Sequence, residues 1–113
     1  MESKVQRVVV EVVKLRRHKG KVVQDCDVYI GRRITQGGWN LPQSKWHNPF
    51  KRKNSSLAAR QDAIAQYEDY LLRSPELMSS LHELKGKTLG CWCKKSPDMP
   101  CHGDVLKKLV DQL

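Results

Sequence analysis

The β-branched run VQRVVVEVVKL, residues 5–15, constrains the fold more than any other segment of the chain. Valine favours extended backbone because its branched side chain packs well on a pleated surface. The run has the length of a single strand. Since valine occupies at least half of the positions on each face, the pattern predicts a strand at the centre of a sheet.

The remaining periodic segments predict two further strands and three helices. The strands are expected at residues 28–30 and 88–93, and the helices at residues 57–72, 75–84 and 101–113. Apolar side chains at helical spacing predict the first and last helices. The middle helix is predicted from Ser74-Pro75-Glu76, a typical helix start. The polar run RRHKGK, residues 16–21, predicts a turn or short loop.

The order β-β-α-α-β-α in 113 residues predicts one small α/β domain over residues 1–113, a mixed β-sheet packed with about three helices. No apolar run approaches the ~20 residues that a membrane helix needs. The start MESKVQRVVVEVVK carries charge where a secretory signal needs an apolar core. We therefore expect an intracellular protein, cytoplasmic or nuclear, with no membrane partner.

The net charge of +9 is unevenly distributed along the chain. Residues 1–53 contain 13 basic and 4 acidic side chains, whereas residues 54–113 contain 8 of each. Basic patches commonly bind polyanions, such as nucleic acid or phosphate-bearing small molecules. The alternative is a solvated face that provides solubility. The charge therefore directs the search for a binding site to the first half.

Residues 34–56 form a long segment without sustained periodicity, which predicts a functional loop. Its central motif, Ser44-Lys45-Trp46-His47-Asn48-Pro49-Phe50, combines groups that could hold a phosphate with an indole that could stack on a ring. The alternative is that Trp46 and Phe50 pin the loop onto the core while Asn48 makes a turn before Pro49.

A second candidate lies at the predicted end of the strand at residues 28–30, in Tyr29-Ile30-Gly31-Arg32-Arg33. Ligands commonly bind at the carboxyl ends of strands in α/β sheets. Arginine presents a planar fork to phosphate or carboxylate, and Gly31 would let a ligand approach the backbone. An exposed turn is the alternative interpretation.

Three of the four cysteines, Cys91, Cys93 and Cys101, lie within eleven residues of the sequence. Cys101 and His102 fall where a loop meets the predicted final helix, and a helix start stabilises a thiolate. Cys101 could be a nucleophile with His102 as its base, or His102 and Asp104 could act as acid and base.

Two other interpretations of the cysteine segment remain open. Cys91, Cys93, Cys101 and His102 have the chemistry of a tetrahedral zinc set, although the spacing C-x-C followed by adjacent Cys-His is unusual for zinc. Alternatively, the thiols fill a seam between strand and helix while Asp104 stabilises the helix start.

With these motifs in view, the sequence resembles a family of small domains of unknown function found in phages, other viruses, bacteria and some eukaryotes. The matching pieces are DVYIGRR (27–33), SKWHNPF (44–50) and GKTLGCWCKKSPDMPCHGDVL (86–106). The resemblance implies a signature made of Tyr29, Gly31, Arg32, Ser44, Lys45, Trp46, Asn48, Pro49, Cys91, Cys93, Cys101, His102, Gly103 and Asp104. It implies no reaction, because the family is defined by pattern.

The sequence thus leads to one hypothesis with two rivals. The Gly31 turn, the Ser44–Asn48 loop and the Cys101–Asp104 helix start would form one site that binds a nucleotide or nucleic acid, with enzymatic processing of that ligand as a further possibility. Arg32, Lys45 and Ser44 would contact phosphate, and Trp46 would stack. The rivals are a non-catalytic nucleic-acid-binding module and a zinc-stabilised interaction domain.

Overall fold

Three parallel strands form the main sheet of the computed structural model, which describes residues 9–51, 53–54, 56–92 and 99–113. The strands of the chain are β1 (Glu11–Lys14), β2 (Arg16–His18), β3 (Lys21–Gln24), β4 (Val28–Tyr29) and β5 (Thr88–Cys91). The helices are α1 (Leu57–Leu72), α2 (Pro75–Ser80), which continues into a 3₁₀ turn at Leu81–Leu84, and α3 (His102–Asp111). The prediction of an α/β fold with three helices is confirmed.

The main sheet has the order β1-β5-β4, so β5 is the central strand. Val12 of β1 and Val28 of β4 both lie opposite Leu89 of β5. The prediction that the valine-rich strand is central was wrong for the strands that the structure describes. The physical reason is burial: β5 is almost completely buried, whereas the residues of β1 are exposed or half-buried.

Residues 16–24 form a two-stranded antiparallel hairpin, where the sequence predicted only a turn or short loop. Lys19 and Gly20 both have positive φ angles, 52° and 78°. Two such residues form the turn whose twist matches paired antiparallel strands, and Gly20 adopts this conformation without strain. The short strands lack a clear apolar alternation, which is why their sequence did not reveal them.

Helix α1 has the predicted bounds, and Ser56 Oγ caps it by accepting from Ala59 N at 3.1 Å. Its buried face differs from the expected apolar face. Arg60, Ala63, Tyr67 and Leu71 are buried, whereas Leu57 is 56% exposed. The helix therefore turns an arginine inward.

Helix α3 packs its apolar face against the core as predicted, with Val105, Leu106 and Val110 buried. Asp104 Oδ2 accepts from Cys101 N at 3.0 Å, and Cys101 Sγ accepts from Gly103 N at 3.4 Å. These bonds fix where the helix begins. Within the described ranges, no helix is long and apolar enough to cross a membrane.

Gly90 lets the connection between β3 and β4 lie against the central strand. A Cβ atom at this position would come within 2.6 Å of Cys26 Sγ and 2.8 Å of Cys26 Cβ. Asp27 N also donates to Thr88 O at 2.8 Å, so this connection is held against β5. The close approach requires a residue without a side chain at position 90.

We expect Gly90→Ala to lower the free energy of unfolding by about 1–3 kcal/mol, because the added methyl group overpacks this contact. Urea denaturation measures the effect. Cys26→Gly removes the opposing side-chain atoms of Cys26 and leaves Leu15 Cδ2, 2.7 Å from the added Cβ, so Gly90→Ala should cost less in that background than in the wild type but still carry a cost. Equal costs in both backgrounds would show that the contact with Cys26 does not impose the glycine.

Candidate functional site

A cavity of about 470 Å³ opens at the carboxyl edge of the main sheet, between the ends of β4 and β5 and the start of α3. Ligands of α/β sheets commonly bind at this edge. Of the predicted site residues, the structure brings Gly31, Arg32, Asn48, Cys101 and His102 into the lining. The other lining residues are Ile34, Phe50, Lys51, Arg60, Ala63, Ile64, Trp92 and Pro100.

The Gly31 turn is held by the end of β4. Ile30 N donates to Gly90 O at 2.9 Å, which extends the pairing with β5 by one residue. The Tyr29 hydroxyl donates to the Arg32 carbonyl and accepts from Trp92 Nε1 at 2.9 Å. A Cβ atom at Gly31 would come within 2.5 Å of Tyr29 Oη, so any larger residue at position 31 requires the Tyr29 ring to move. Tyr29 therefore shapes the turn and does not itself line the cavity.

The Ser44–Asn48 loop lies beside this turn and is fastened to it. Ser44 N donates to Gly31 O at 3.0 Å, and Ser44 Oγ accepts from Trp46 N at 3.0 Å. The Asn48 side chain accepts from Phe50 N at 2.9 Å and donates to Ala63 O at 3.3 Å. Arg32 Nη2 donates to the Asn48 carbonyl at 2.9 Å. The loop and the turn thus present Arg32 and Asn48 together.

Two predicted ligand contacts, Trp46 and Lys45, lie elsewhere. Trp46 is only 2% exposed and belongs to the core, where its carbonyl accepts from the Tyr67 hydroxyl at 2.6 Å. It cannot stack on a ligand and instead pins the loop, the alternative role that its sequence allowed. Lys45 Nζ forms an exposed ion pair with Glu83 at 2.9 Å and lies over the Trp46 ring.

Ser44 and Asp104 have positioning roles in this structure, and their predicted ligand and catalytic contacts stay predictions. Ser44 Oγ is used within its own turn, and the Asp104 carboxylate accepts from the backbone at the start of α3. Neither residue lines the cavity. The sequence identified both as site residues because polar side chains that shape loops and cap helices have the same chemistry as those that bind ligands.

The described lining of the cavity is rich in cationic side chains. Arg32, Lys51 and Arg60 contribute three cationic side chains, and none of the described residues that line it is acidic. Arg60 is only 6% exposed. Lys51 begins the run of three basic residues that follows Phe50 in the sequence, and this run could have identified it as a site residue. Arg60 was missed because an arginine in an amphipathic helix usually faces solvent.

Apolar and aromatic side chains form the remaining walls, among them Phe50 and Trp92, which were not predicted as site residues. Phe50 packs edge-on against Tyr70 with ring centroids 5.9 Å apart. Trp92 packs edge-on against Trp39 at 5.3 Å, and the Arg17 guanidinium lies over Trp39. These contacts hold two aromatic rings at the border of the cavity.

His102 is buried beneath the cavity, and its Nε2 lies 2.7 Å from the Ile30 carbonyl. A carbonyl only accepts, so Nε2 carries the proton and donates. Burial lowers the pKa of His102 from its usual 6.5, because the charged imidazolium would lose its hydration. The other ring nitrogen, Nδ1, lies 3.8 Å from Cys101 Sγ. The site therefore presents a neutral imidazole beside a thiol.

Two of the predicted metal ligands, Cys91 and Cys101, are close together, with their sulfur atoms 3.0 Å apart. Cys93 lies outside the described residues, so the four-residue zinc set stays a prediction. Among the residues that can be described, no group of three or more His, Cys, Asp or Glu side chains is arranged to hold a metal ion.

Comparison with known proteins identifies related sequences. The profile of a family described as a domain of unknown function, DUF4326, matches residues 13–112. An uncharacterised protein of Acanthamoeba polyphaga mimivirus is 45% identical over 103 residues, which cover 87% of this chain and 77% of the viral protein. No solved structure matches. These findings confirm the resemblance seen in the sequence motifs.

The lowered pKa of His102 predicts a pH-dependent stability. Below pH 6.5 the unfolded chain takes up a proton at this histidine before the folded protein does, so the free energy of unfolding falls as the pH falls towards the folded-state pKa. The slope from one group is at most about 1.4 kcal/mol per pH unit. His102→Gln keeps an amide donor for the Ile30 carbonyl and should flatten this part of the profile.

Urea denaturation at pH 7.5 and at pH 5.5 compares the two proteins. His82→Gln, at an exposed histidine, is the matched control and should keep the wild-type dependence. If His102→Gln loses as much stability as the wild type on acidification, burial of His102 is not the cause.

Proposed function

The chain belongs to DUF4326, a family of domains of unknown function, and we propose that its cavity binds a small phosphate-bearing molecule with a planar ring, a nucleotide. The observation that carries this proposal is the cationic lining, with Arg32, Lys51 and Arg60 around one cavity and no acidic side chain among its described residues. A binding site for a neutral or cationic molecule would not need this charge.

The three cations favour an anion that can contact several donors at once. Each guanidinium presents a planar set of N–H donors that matches phosphate oxygens, and hydrogen bonds between ionised partners are the strong ones. The near-complete burial of Arg60 weakens solvent screening around it, which increases the attraction for a phosphate.

The apolar lining residues of the cavity suit a flat ring. Phe50, Trp92, Ile34 and Ile64 belong to the lining, and aromatic faces stack on nucleobases. The Asn48 side chain accepts from Phe50 N and donates to Ala63 O, so it holds these two lining residues in position. A base would be held mainly by stacking.

The size of the cavity favours one small molecule over a polymer. A volume of about 470 Å³ lies in the range of roughly 300–1,000 Å³ that is typical of small-molecule sites. Cys101 and His102 lie in the same lining, so a thiol and a neutral imidazole would face the bound ligand. These two residues are the candidates for any chemistry on it.

We expect Arg32→Gln and Lys51→Gln each to weaken nucleotide binding by about 10- to 100-fold, because each removes a charged hydrogen-bond donor worth about 1.5–3 kcal/mol. Glutamine at position 32 still carries an amide donor for the Asn48 carbonyl. Isothermal titration calorimetry with nucleoside mono-, di- and triphosphates, and with the matching nucleosides, measures the effect.

Two charge-matched controls separate the site from the general basicity of the protein. Lys85→Gln removes a charge just before β5, at the opposite edge of the sheet, and Lys45→Gln removes the ion-paired lysine outside the cavity. Both should retain wild-type affinity. Equal losses in the controls, or equal affinity for nucleosides and nucleotides, would contradict the proposal.

A single-stranded oligonucleotide tests the rival function in the same titrations. A nucleic-acid-binding module would bind it with an affinity that falls steeply with salt and would depend on many basic residues. If the oligonucleotide binds in this manner and no mononucleotide does, the protein is such a module and the proposed nucleotide site is wrong.

A further inference from the structure

The sulfur atoms of Cys91 and Cys101 lie 3.0 Å apart in the seam between the end of β5 and the start of α3. Both residues are only 1% exposed. A disulfide has an S–S bond of about 2.05 Å, so a relative movement of about 1 Å would bring the two atoms to bonding distance. Neither cysteine forms a disulfide in this structure.

Cys101 is an unusual residue for its position. Serine, threonine, aspartate and asparagine are the preferred N-cap residues, since their oxygen atoms accept strongly from the first helical N–H groups. Here a sulfur accepts from Gly103 N at 3.4 Å, while the Asp104 carboxylate completes the cap. Helix capping alone therefore does not account for a cysteine at this place.

The two thiols differ in access. Cys101 lines the cavity, and Cys91 does not. A small molecule that enters the cavity therefore reaches Cys101 first, and Cys91 lies directly behind it. This order, a sulfur in the cavity lining with a second sulfur behind it, is an arrangement that suits thiol–disulfide exchange.

We infer that Cys91 and Cys101 are a redox-active pair that exchanges with a low-molecular-weight disulfide entering the cavity. In the first step Cys101 Sγ attacks one sulfur of the small disulfide. The S–S bond of the disulfide breaks, a mixed disulfide forms at Cys101, and the thiol proton of Cys101 passes to the departing thiolate.

In the second step Cys91 Sγ attacks Cys101 Sγ and releases the second small thiol, which takes the proton of Cys91. The protein pair is oxidised by two electrons, and the small disulfide is reduced to two thiols. The new bond links the last residue of β5 to the N-cap of α3, two elements that border the cavity. This exchange does not depend on the nucleotide proposal, because it needs only access to Cys101.

The experiment uses the full chain with Cys26→Ser and Cys93→Ser, so that Cys91 and Cys101 are its only thiols. Cys93 lies outside the described residues and is removed for that reason. The reduced protein is incubated with glutathione disulfide and followed by intact mass. The expected product has lost the mass of two hydrogen atoms, carries no glutathione and returns to the starting mass with dithiothreitol.

Two further variants in the same background assign the order of attack. Cys91→Ser should stop at a protein that carries one glutathione. Cys101→Ser keeps a favourable N-cap and should react at least about 10-fold more slowly. Circular dichroism establishes that each variant is folded, and peptide mapping of the oxidised wild-type chain for a Cys91–Cys101 link serves as the second measurement.

The inference is overturned if the folded two-cysteine protein does not react, if it retains a glutathione at Cys101 although Cys91 is present, or if Cys101→Ser reacts as fast as its parent. It is also overturned if the oxidised wild-type chain contains no Cys91–Cys101 link. Nucleotide titrations of the reduced protein report on the proposed ligand independently, so the two proposals fail separately.

Discussion

The hydrogen bond from His102 to the Ile30 carbonyl holds the two halves of the site in one arrangement. Ile30 N already donates to Gly90 O in the central strand, so the backbone of a single residue connects β5, the end of β4 and the first turn of α3. Gly31 follows directly, and Cys101 directly precedes the imidazole. The positions of Arg32 and Cys101 relative to each other therefore depend on this buried bond, which acts only while the imidazole keeps its proton on Nε2.

The sheet order explains why residues distant in sequence meet here. Because β1, β4 and β5 are parallel, the segments that follow β4 and β5 leave the sheet at the same edge. The basic excess of the first half reaches this edge through Arg32 and Lys51, and the second half contributes Arg60, Cys101 and His102. The basic first half and the neutral second half of the sequence thus meet at this edge of the sheet. Arg60 is an exception to the division of charge, because it is a basic lining residue that comes from the neutral half.

Local signals in the sequence were sufficient for much of this fold and for part of the site. The bounds of α1 follow from its apolar spacing and its serine cap, and the start of α2 follows from Ser74 and Pro75. The convergence of Gly31, Asn48 and His102 also followed from motif chemistry. The orientation of the Trp46 side chain could not be predicted, since an irregular loop has no period, and that of Arg60 could not because an arginine in an amphipathic helix usually faces solvent. Trp46 faces the core and Arg60 faces the cavity, and both orientations result from long-range packing.

The edge-on contact between Trp39 and Trp92 distinguishes two walls of the cavity, which are held by different kinds of contact. One wall consists of the sheet end, α1 and α3, which are held by buried side chains and backbone hydrogen bonds. The other includes Trp92, whose ring leans on Trp39, which in turn lies under Arg17 of the β2–β3 hairpin. Arg17 also donates to the carbonyls of Gly20 and Gly37, so it joins the hairpin tip to this surface stack. The β2–β3 hairpin is thereby connected through two aromatic rings to Trp92 in the cavity lining, although no hairpin residue lines the cavity itself.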